Sequence, residues 1–284
     1  MKVIAESGST TTEWVLVDGK NVLERSFTEG INPFFQTRRE ISHSIRLNLP
    51  ETFFKKRWER VYFYGAGCAN LDKKNILEAS LVAQFKTPIS AESDLLAAAR
   101  GLLIDKPGIA CILGTGSNSC LYDGERIIKN VRSAGYILGD EGSGTALGKR
   151  LIGDWLKGLL DEELNRKLAE SYRWDEADII RKVYREPEAN RFLASFTPFL
   201  KAHRTHPAVH RILTDCFKAF FERNIMAYRP GPLAVHFVGS IAAIFREELE
   251  ETAGIYGIRI GNILREPIGR MVAYHQQKLK NETD

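Results

Sequence analysis

Ile109-Ala110-Cys111-Ile112-Leu113-Gly114-Thr115-Gly116-Ser117-Asn118-Ser119-Cys120-Leu121-Tyr122-Asp123-Gly124 is the stretch whose reading decides the fold of this chain. The apolar run Ile109–Leu113 predicts a buried strand, Gly114–Asn118 a small-residue turn, and Ser119–Tyr122 a returning strand. Asp123-Gly124 is a hairpin turn signal leading into a third strand, Arg126–Val131. The same order occurs about a hundred residues earlier. Val3-Ile4-Ala5 is followed by Ser7-Gly8-Ser9-Thr10-Thr11-Thr12, then Trp14–Val17, Asp18-Gly19 and Val22–Phe27. One glycine-and-hydroxyl loop is weak evidence, because turns use these residues anyway. Two copies in the same register predict an internal duplication.

Outward from these copies, helical patterns cover 37–47 and 73–85, with a strand at Val61–Tyr64 and an Ala-rich helix over 94–103. The second half predicts helices at 143–160, 161–170, 188–203 and 207–228. A strand at Leu233–Val238, a helix at 241–252, a short strand at 258–260 and a last helix at 267–280 follow. Strands alternating with helices imply an α/β protein. Asp105-Lys106-Pro107-Gly108 reads as the linker, which sets the expected domains at 1–107 and 108–284. The last helix is expected to pack back on the first domain.

A chain of 284 residues with 44% hydrophobic and 27% charged residues has globular proportions, and its length suits two domains. Its 40 basic residues are scattered among 36 acidic ones without a basic block, which argues against nucleic-acid binding. Cys68, Cys111, Cys120 and Cys216 are widely spaced in apolar surroundings, so reduced core thiols are expected. Glu6 interrupts any charged-then-apolar leader, and no apolar run approaches the ~18 residues of a membrane span. A cytoplasmic setting is the expectation.

Glycine lets backbone N–H groups approach a phosphate closely, and Ser and Thr hydroxyls add donors without bulk. Ser7–Thr12 and Gly114–Asn118 both offer this combination, and as a pair they suggest phosphate loops gripping from two sides. Glu6, directly before the first loop, is the metal candidate. Asp94 opens the Ala-rich helix where the chain leaves a strand. Two readings of it stand level: a helix cap or first-turn acid, and a carboxylate that takes the proton of an attacking hydroxyl. In Gly139-Asp140-Glu141-Gly142-Ser143-Gly144, two carboxylates among three glycines suggest acceptors for sugar hydroxyls or a hydrated metal. Val238-Gly239-Ser240-Ile241 is a strand-to-helix turn; a nucleotide contact and a plain tight turn are equally compatible with it.

In this order the residues resemble the N-acetylglucosamine kinase and BadF/BadG/BcrA/BcrD ATPase family of the actin-like ATPase superfamily, over essentially the whole chain. The resemblance implies two ribonuclease-H-like domains, each a mixed sheet flanked by helices, with nucleotide in a central cleft. It makes Gly8, Ser9, Thr10, Thr11 and Thr12 the first phosphate loop and Gly114, Thr115, Gly116, Ser117 and Asn118 the second. Gly239 and Ser240 match the adenosine motif, Asp94 the catalytic base, and Asn32 and Asp140 ligands of the sugar. ATP and Mg²⁺ are the implied cofactors, an N-acetylhexosamine the implied substrate, and a homodimer stays open. The chain departs from many relatives at Glu6, where they carry Asp, and at Thr11, where they carry a basic residue. The mammalian sugar kinases place a sugar-facing Trp where this chain has Ala134. Two alternatives follow from the same family. One is an ATPase activator bridging an iron–sulfur cluster, for which Cys111 lies near the domain boundary without a partner cysteine in a comparable motif. The other is a non-catalytic sugar or nucleotide sensor.

Overall fold

The structure, a computed structural model, describes residues 1–8, 10–55, 58–68 and 70–281. The chain divides into two compact units. The first comprises Met1–Pro107, Tyr122–Ile127 and Glu266–Asp284, and the second Gly108–Leu121 and Ile128–Arg265.

In the first unit β1 (Lys2–Ser7), β2 (Thr11–Asp18), β3 (Asn21–Glu29), β4 (Arg60–Gly65) and β5 (Ile89–Ser93) form one sheet in the order β3-β2-β1-β4-β5. β2 runs antiparallel to β1 with Ser7 opposite Thr12, whereas β4 and β5 run parallel to β1. Their register puts Ser7, Gly65 and Ser93 in one row at the carboxyl ends of the parallel strands. Side chains alternate across the sheet with period two. Val3, Ala5, Trp14, Leu16, Val61 and Phe63 pack with the helices Arg38–Asn48 and Leu71–Phe85 on one face. Ile4, Val15, Val17 and Tyr64 meet Ala97, Ile268, Met271 and Val272 on the other. That second face is covered by the helices Asp94–Leu103 and Ile268–Asn281. Gly101 lets Pro267 approach the helix backbone, and Tyr64 hydroxyl bonds both His275 Nε2 (2.9 Å) and Arg100 Nη1 (2.8 Å).

The second unit repeats the plan. β6 (Gly108–Leu113), β7 (Ser117–Tyr122), β8 (Ile127–Val131), β9 (Val235–Val238) and β10 (Ile260–Leu264) form a sheet in the order β10-β9-β6-β7-β8. This is the first sheet's order with β6 in the place of β1, and β9 and β10 again run parallel to it. The duplication expected from the two meanders is therefore present in the strand order.

Several helices are shorter than their apolar patterns. The pattern at 188–203 breaks into Ala189–Ala194 and Thr197–Ala202, where Pro198, lacking an N–H, suits the start of a new helix. Helix Pro207–Phe220 widens into a π turn at Phe221–Ile225 before a last 3₁₀ turn. The pattern at 241–252 is two helices, Ser240–Ile244 and Arg246–Ile255, meeting at Phe245. The strand expected at 258–260 lies instead at Ile260–Leu264, and that expected at Leu233–Val238 begins at Val235. Glu176–Tyr184 is an additional helix capped by Asp175, and Ile179 is its one fully buried side chain. No helix among the described residues is long and apolar enough to cross a membrane. The four cysteines are free thiols, and burial pushes those of Cys68, Cys120 and Cys216 up to about 12.

Candidate active site

On the first unit the loop after β1 is held by its own hydroxyls. Ser7, fully buried, lies 2.8 Å from Thr12 Oγ1 and accepts the Ile31 N–H at 2.8 Å. Thr12 in turn donates to the Glu29 carbonyl at 3.0 Å. The Thr12 side chain is thus engaged within the loop itself. Gly8, Thr10 and Thr11 are the exposed members, and Ser9 lies outside the described residues. The Gly8 N–H closes the turn onto the Thr11 carbonyl at 3.0 Å.

Asp94 follows Ser93, the end of β5 in the Ser7–Gly65–Ser93 row. Ser93 is the helix cap, its hydroxyl accepting the Leu96 N–H at 3.2 Å. Asp94 is thus the first residue inside the helix, and its Oδ1 accepts the Leu95 N–H at 2.9 Å. Burial holds the Asp94 carboxyl above the ordinary carboxylate range, although the Leu95 N–H and its own pull the other way. Glu6, one residue before Ser7, is raised to about 8, first by burial and then by Asp94, Glu13 and Glu266. Glu13 stands directly opposite Glu6 on β2 and is itself paired with Arg25 at 2.5 Å. This corner gathers four acidic groups, Glu6, Asp94, Glu13 and Glu266, of which Glu13 is met by Arg25 and Glu6 is held toward its protonated form.

Asn32 sits in a compact turn. Its N–H donates to Gln36 Oε1 (2.8 Å) and its Oδ1 accepts the Phe34 N–H (3.0 Å). Gly67, just past β4 with φ +86°, backs onto the Phe34 ring and Asn32 Oδ1. The next residue, Cys68, is a thiol that Asp94 helps to push up, so Asn32 and Asp94 belong to one end of the first sheet.

On the second unit three stretches converge. The Gly114–Gly116 turn between β6 and β7 is closed by Gly114 N–H to Gly116 O at 3.0 Å. Helix Gly144–Leu156 is latched to it through Gly144 N–H to Gly114 O (2.9 Å) and Thr145 Oγ1 to Thr115 O (2.6 Å). Asp140, with φ +55° and almost fully buried, accepts the Ser117 N–H at 3.1 Å. A Cβ on Gly116 would lie 3.0 Å from its Oδ2, so glycine is what admits the carboxylate. Gly239, with φ +127°, lies against the Leu113 carbonyl and Gly114 N, and Ser240 opens the next helix. Burial raises Asp140 while the Ser117 N–H and Lys149 lower it. Asn118 turns its Oδ1 to the Ser119 N–H (2.9 Å) and Asn130 Nδ2 (3.0 Å). Glu141, the second carboxylate of the Gly139–Gly144 cluster, pairs with Arg223 at 2.5 Å and accepts from Asn224 Nδ2 at 3.4 Å. Arg223 and Asn224 lie on the π turn. Nothing in the local sequence around Glu141 points to them, because the pairing is set by tertiary packing.

No family model and no curated protein matches the chain. Among solved structures, a candidate N-acetylglucosamine kinase from Porphyromonas gingivalis is 42% identical, covers 98% of this chain and 100% of its own, and superposes with a TM-score of 0.94. The chain belongs to the N-acetylglucosamine kinase-like family of actin-like sugar kinases. A second candidate N-acetylglucosamine kinase, from Chromobacterium violaceum, shares the fold at 18% identity and a TM-score of 0.76 over 96% of this chain and 98% of its own. A ROK hexokinase from Thermus thermophilus shares it more distantly, at 15% identity and 0.52 over 100% and 99%. In this kinase-like chain Ser7, Ser143 and Thr145 are among the buried polar side chains, Thr145 holding the Gly114–Gly116 turn through the Thr115 carbonyl.

Proposed function

We propose that the protein transfers the γ-phosphoryl group of ATP to a hydroxyl of an N-acetylhexosamine, with N-acetylglucosamine the first candidate. The observation that carries this reading is Asp94: it sits at the carboxyl end of a parallel strand, relieved of capping by Ser93, with a carboxyl that burial makes more basic. In this reading Asp94 accepts the proton of the sugar hydroxyl as its oxygen bonds to the γ-phosphorus, and the bond to the β-phosphate oxygen breaks to release ADP. In the same reading Gly8, Thr10, Thr11 and Gly114–Asn118 are assigned to the phosphates, and Gly239 and Ser240 to adenosine. Asn32 orients the sugar. Asp140 serves it through one carboxylate oxygen while Oδ1 keeps the Ser117 N–H.

Glu6 fits a Mg²⁺ held mainly through water. Its carboxyl is raised by burial and by the neighbouring acids Asp94, Glu13 and Glu266, and a cation beside it would stabilise the ionised form. Bound Mg²⁺ would neutralise charge on the nucleotide phosphates. Phosphoryl transfer asks little more of a protein than positioning and electrostatics. The activator reading has Cys111 against it, since that side chain is fully buried within β6 and its thiol is raised well above the ordinary value. With its thiols reduced, we place the protein in the cytoplasm.

The test is ADP release over hexoses, hexosamines and N-acetylhexosamines with wild type and Asp94→Asn. Wild type should turn over an N-acetylhexosamine, and the variant should lose ~10²–10⁴ in rate while still binding ATP. Sugar-independent ADP release, or near-wild-type turnover in the variant, would refute the reading.

A further inference from the structure

A cavity of about 640 Å³ lies in the second unit, between one face of helix Gly144–Leu156 and helix Pro207–Phe220, closed at one end by the Gly139–Gly142 turn. Its floor is made of residues too small to fill it: Gly142, Ala146, Gly153, Cys216 and Ala219. Its rim carries four cations, Lys149, Arg150, Lys157 and Arg223, against two carboxylates, Glu141 and Asp154. Two of the cations are partnered by those acids, Arg150 with Asp154 at 2.8 Å and Arg223 with Glu141 at 2.5 Å. Among the described residues neither Lys149 nor Lys157 has a carboxylate at ion-pair distance; Lys149 donates to the Tyr136 carbonyl at 3.0 Å, and its charge lowers Asp140. Ile137 and Leu138, 73% and 75% exposed, form an apolar lip beside these cations, with Leu159 next to them.

We infer that this cavity is a binding site for a phosphomonoester with a small organic body, separate from the loops assigned to ATP and sugar. The charge favours an anion, since two of the four lining cations are not ion-paired by the lining carboxylates. The volume falls within the ~300–1,000 Å³ of ordinary small-molecule sites and exceeds what a bare phosphate fills. The apolar lip gives the body of the ligand a surface, while flexible ammonium groups suit a phosphate as point charges.

The position links the cavity to the candidate active site. Arg223, its side chain 65% exposed, holds Glu141, which adjoins Asp140 in the chain. Lys149 acts on the charge of Asp140, whose Oδ1 holds the Ser117 N–H of the second loop. A phosphate seated between Lys149 and Arg223 would compete with Glu141 for the guanidinium and draw the lysine's field away from Asp140. Occupancy would thus be felt at Asp140 without contact.

The test titrates the full chain with glucosamine 6-phosphate and, separately, inorganic phosphate, by calorimetry at constant ionic strength with the ATP site filled by a non-hydrolysable ATP analogue. Failure of the analogue to bind counts against the kinase reading alone, and the titration is then run without it. Wild type should bind the sugar phosphate more tightly than inorganic phosphate, the apolar lip making the difference. Lys149→Glu and Lys157→Glu should each weaken binding tenfold or more, because each replaces a charge-assisted contact by repulsion. Lys157→Gln should give a smaller loss, which keeps the test decisive if a charge reversal disturbs folding. Absence of binding by wild type, or equal affinity in wild type and all the lysine variants, would overturn the site. So would self-association of the chain that covers Ile137 and Leu138 and excludes both anions.

Discussion

Replacing Glu6 by Gln removes a carboxyl whose ionisation the folded protein disfavours. The Glu6 carboxyl is raised from the ordinary 4.5 to about 8, chiefly by burial and then by Asp94, Glu13 and Glu266. A carboxyl raised on folding keeps its proton longer in the native state than in the unfolded one. Between pH 4.5 and 8 the native state therefore binds more protons, and stability falls as pH rises through that window. At 1.36 kcal/mol per decade, the shift caps the penalty at roughly 5 kcal/mol above pH 8. Relaxation and the shared charge of Asp94 bring the expected measured value to about 1–3 kcal/mol, which for a chain of this size is ~2–10 °C in melting temperature. Gln is nearly isosteric and never ionises. In the absence of nucleotide and Mg²⁺, Glu6→Gln should melt with wild type near pH 4.5 and above it by a growing margin up to pH 8.5. Adding Mg²⁺ with a non-hydrolysable ATP analogue should narrow that margin, because the wild-type carboxylate then meets a cation. Differential scanning calorimetry across pH reads both effects, with the transition of the first unit followed separately if the units melt apart. A variant that melts below wild type at pH 8, or a difference that does not change with pH, would refute the electrostatic account of this corner.

Thr115→Val should raise the KM for ATP roughly ten- to hundredfold, since a hydrogen bond to a charged group is worth ~1.5–3 kcal/mol. The fold should survive, because Thr145 holds this position through the Thr115 backbone carbonyl; unchanged ATP kinetics would remove the second loop from phosphate binding. Two glycines of one helix should behave oppositely on mutation to Ala. At Gly148 a Cβ would run into the Leu193 carbonyl of the neighbouring helix and should cost about 2–3 kcal/mol, whereas at Gly153 nothing lies within 4 Å and helix propensity should return about 0.5–1 kcal/mol. Thermal melts of the two variants check the pair, and equal shifts would contradict the close helix contact at Gly148.

The duplication was legible because turn chemistry is local. Asp18-Gly19 and Asp123-Gly124 lie at the second hairpin of each meander, and Gly19 and Gly124 adopt positive φ, which glycine tolerates. The convergence of Gly114–Ser117 with Asp140 and Gly239 could be anticipated only as a set of glycine turns. What joins them is packing that leaves no room for a side chain, at Gly116 beneath Asp140 and at Gly239 against Leu113. Helix ends were less legible. The apolar positions of 188–203 and 241–252 continue smoothly through breaks at Ser195–Phe196 and Phe245, so periodicity alone does not show where the backbone turns. Helix Glu176–Tyr184 is different: its Asp175 cap and the helical spacing of Ile179, Ile180 and Val183 are local signals present in the sequence.

Asp94 shows most clearly where local reading ends. Serine and aspartate both cap helices well, so Ser93-Asp94 before an Ala-rich run is consistent with either residue at the cap. The choice is made by the sheet. β5 pairs with β4 through Ser93, which keeps Ser93 extended and leaves it in the non-helical geometry that a cap requires. The helix must then begin at Asp94. With the Leu96 N–H already satisfied by the Ser93 hydroxyl, the Asp94 carboxyl meets only the adjacent Leu95 N–H and its own, and is not needed to cap the helix start. A carboxylate that the fold buries near Glu6 without using it as a cap costs stability. That cost is the physical reason to assign it a chemical task, and it separates Asp94 from Glu141, whose charge is met by Arg223.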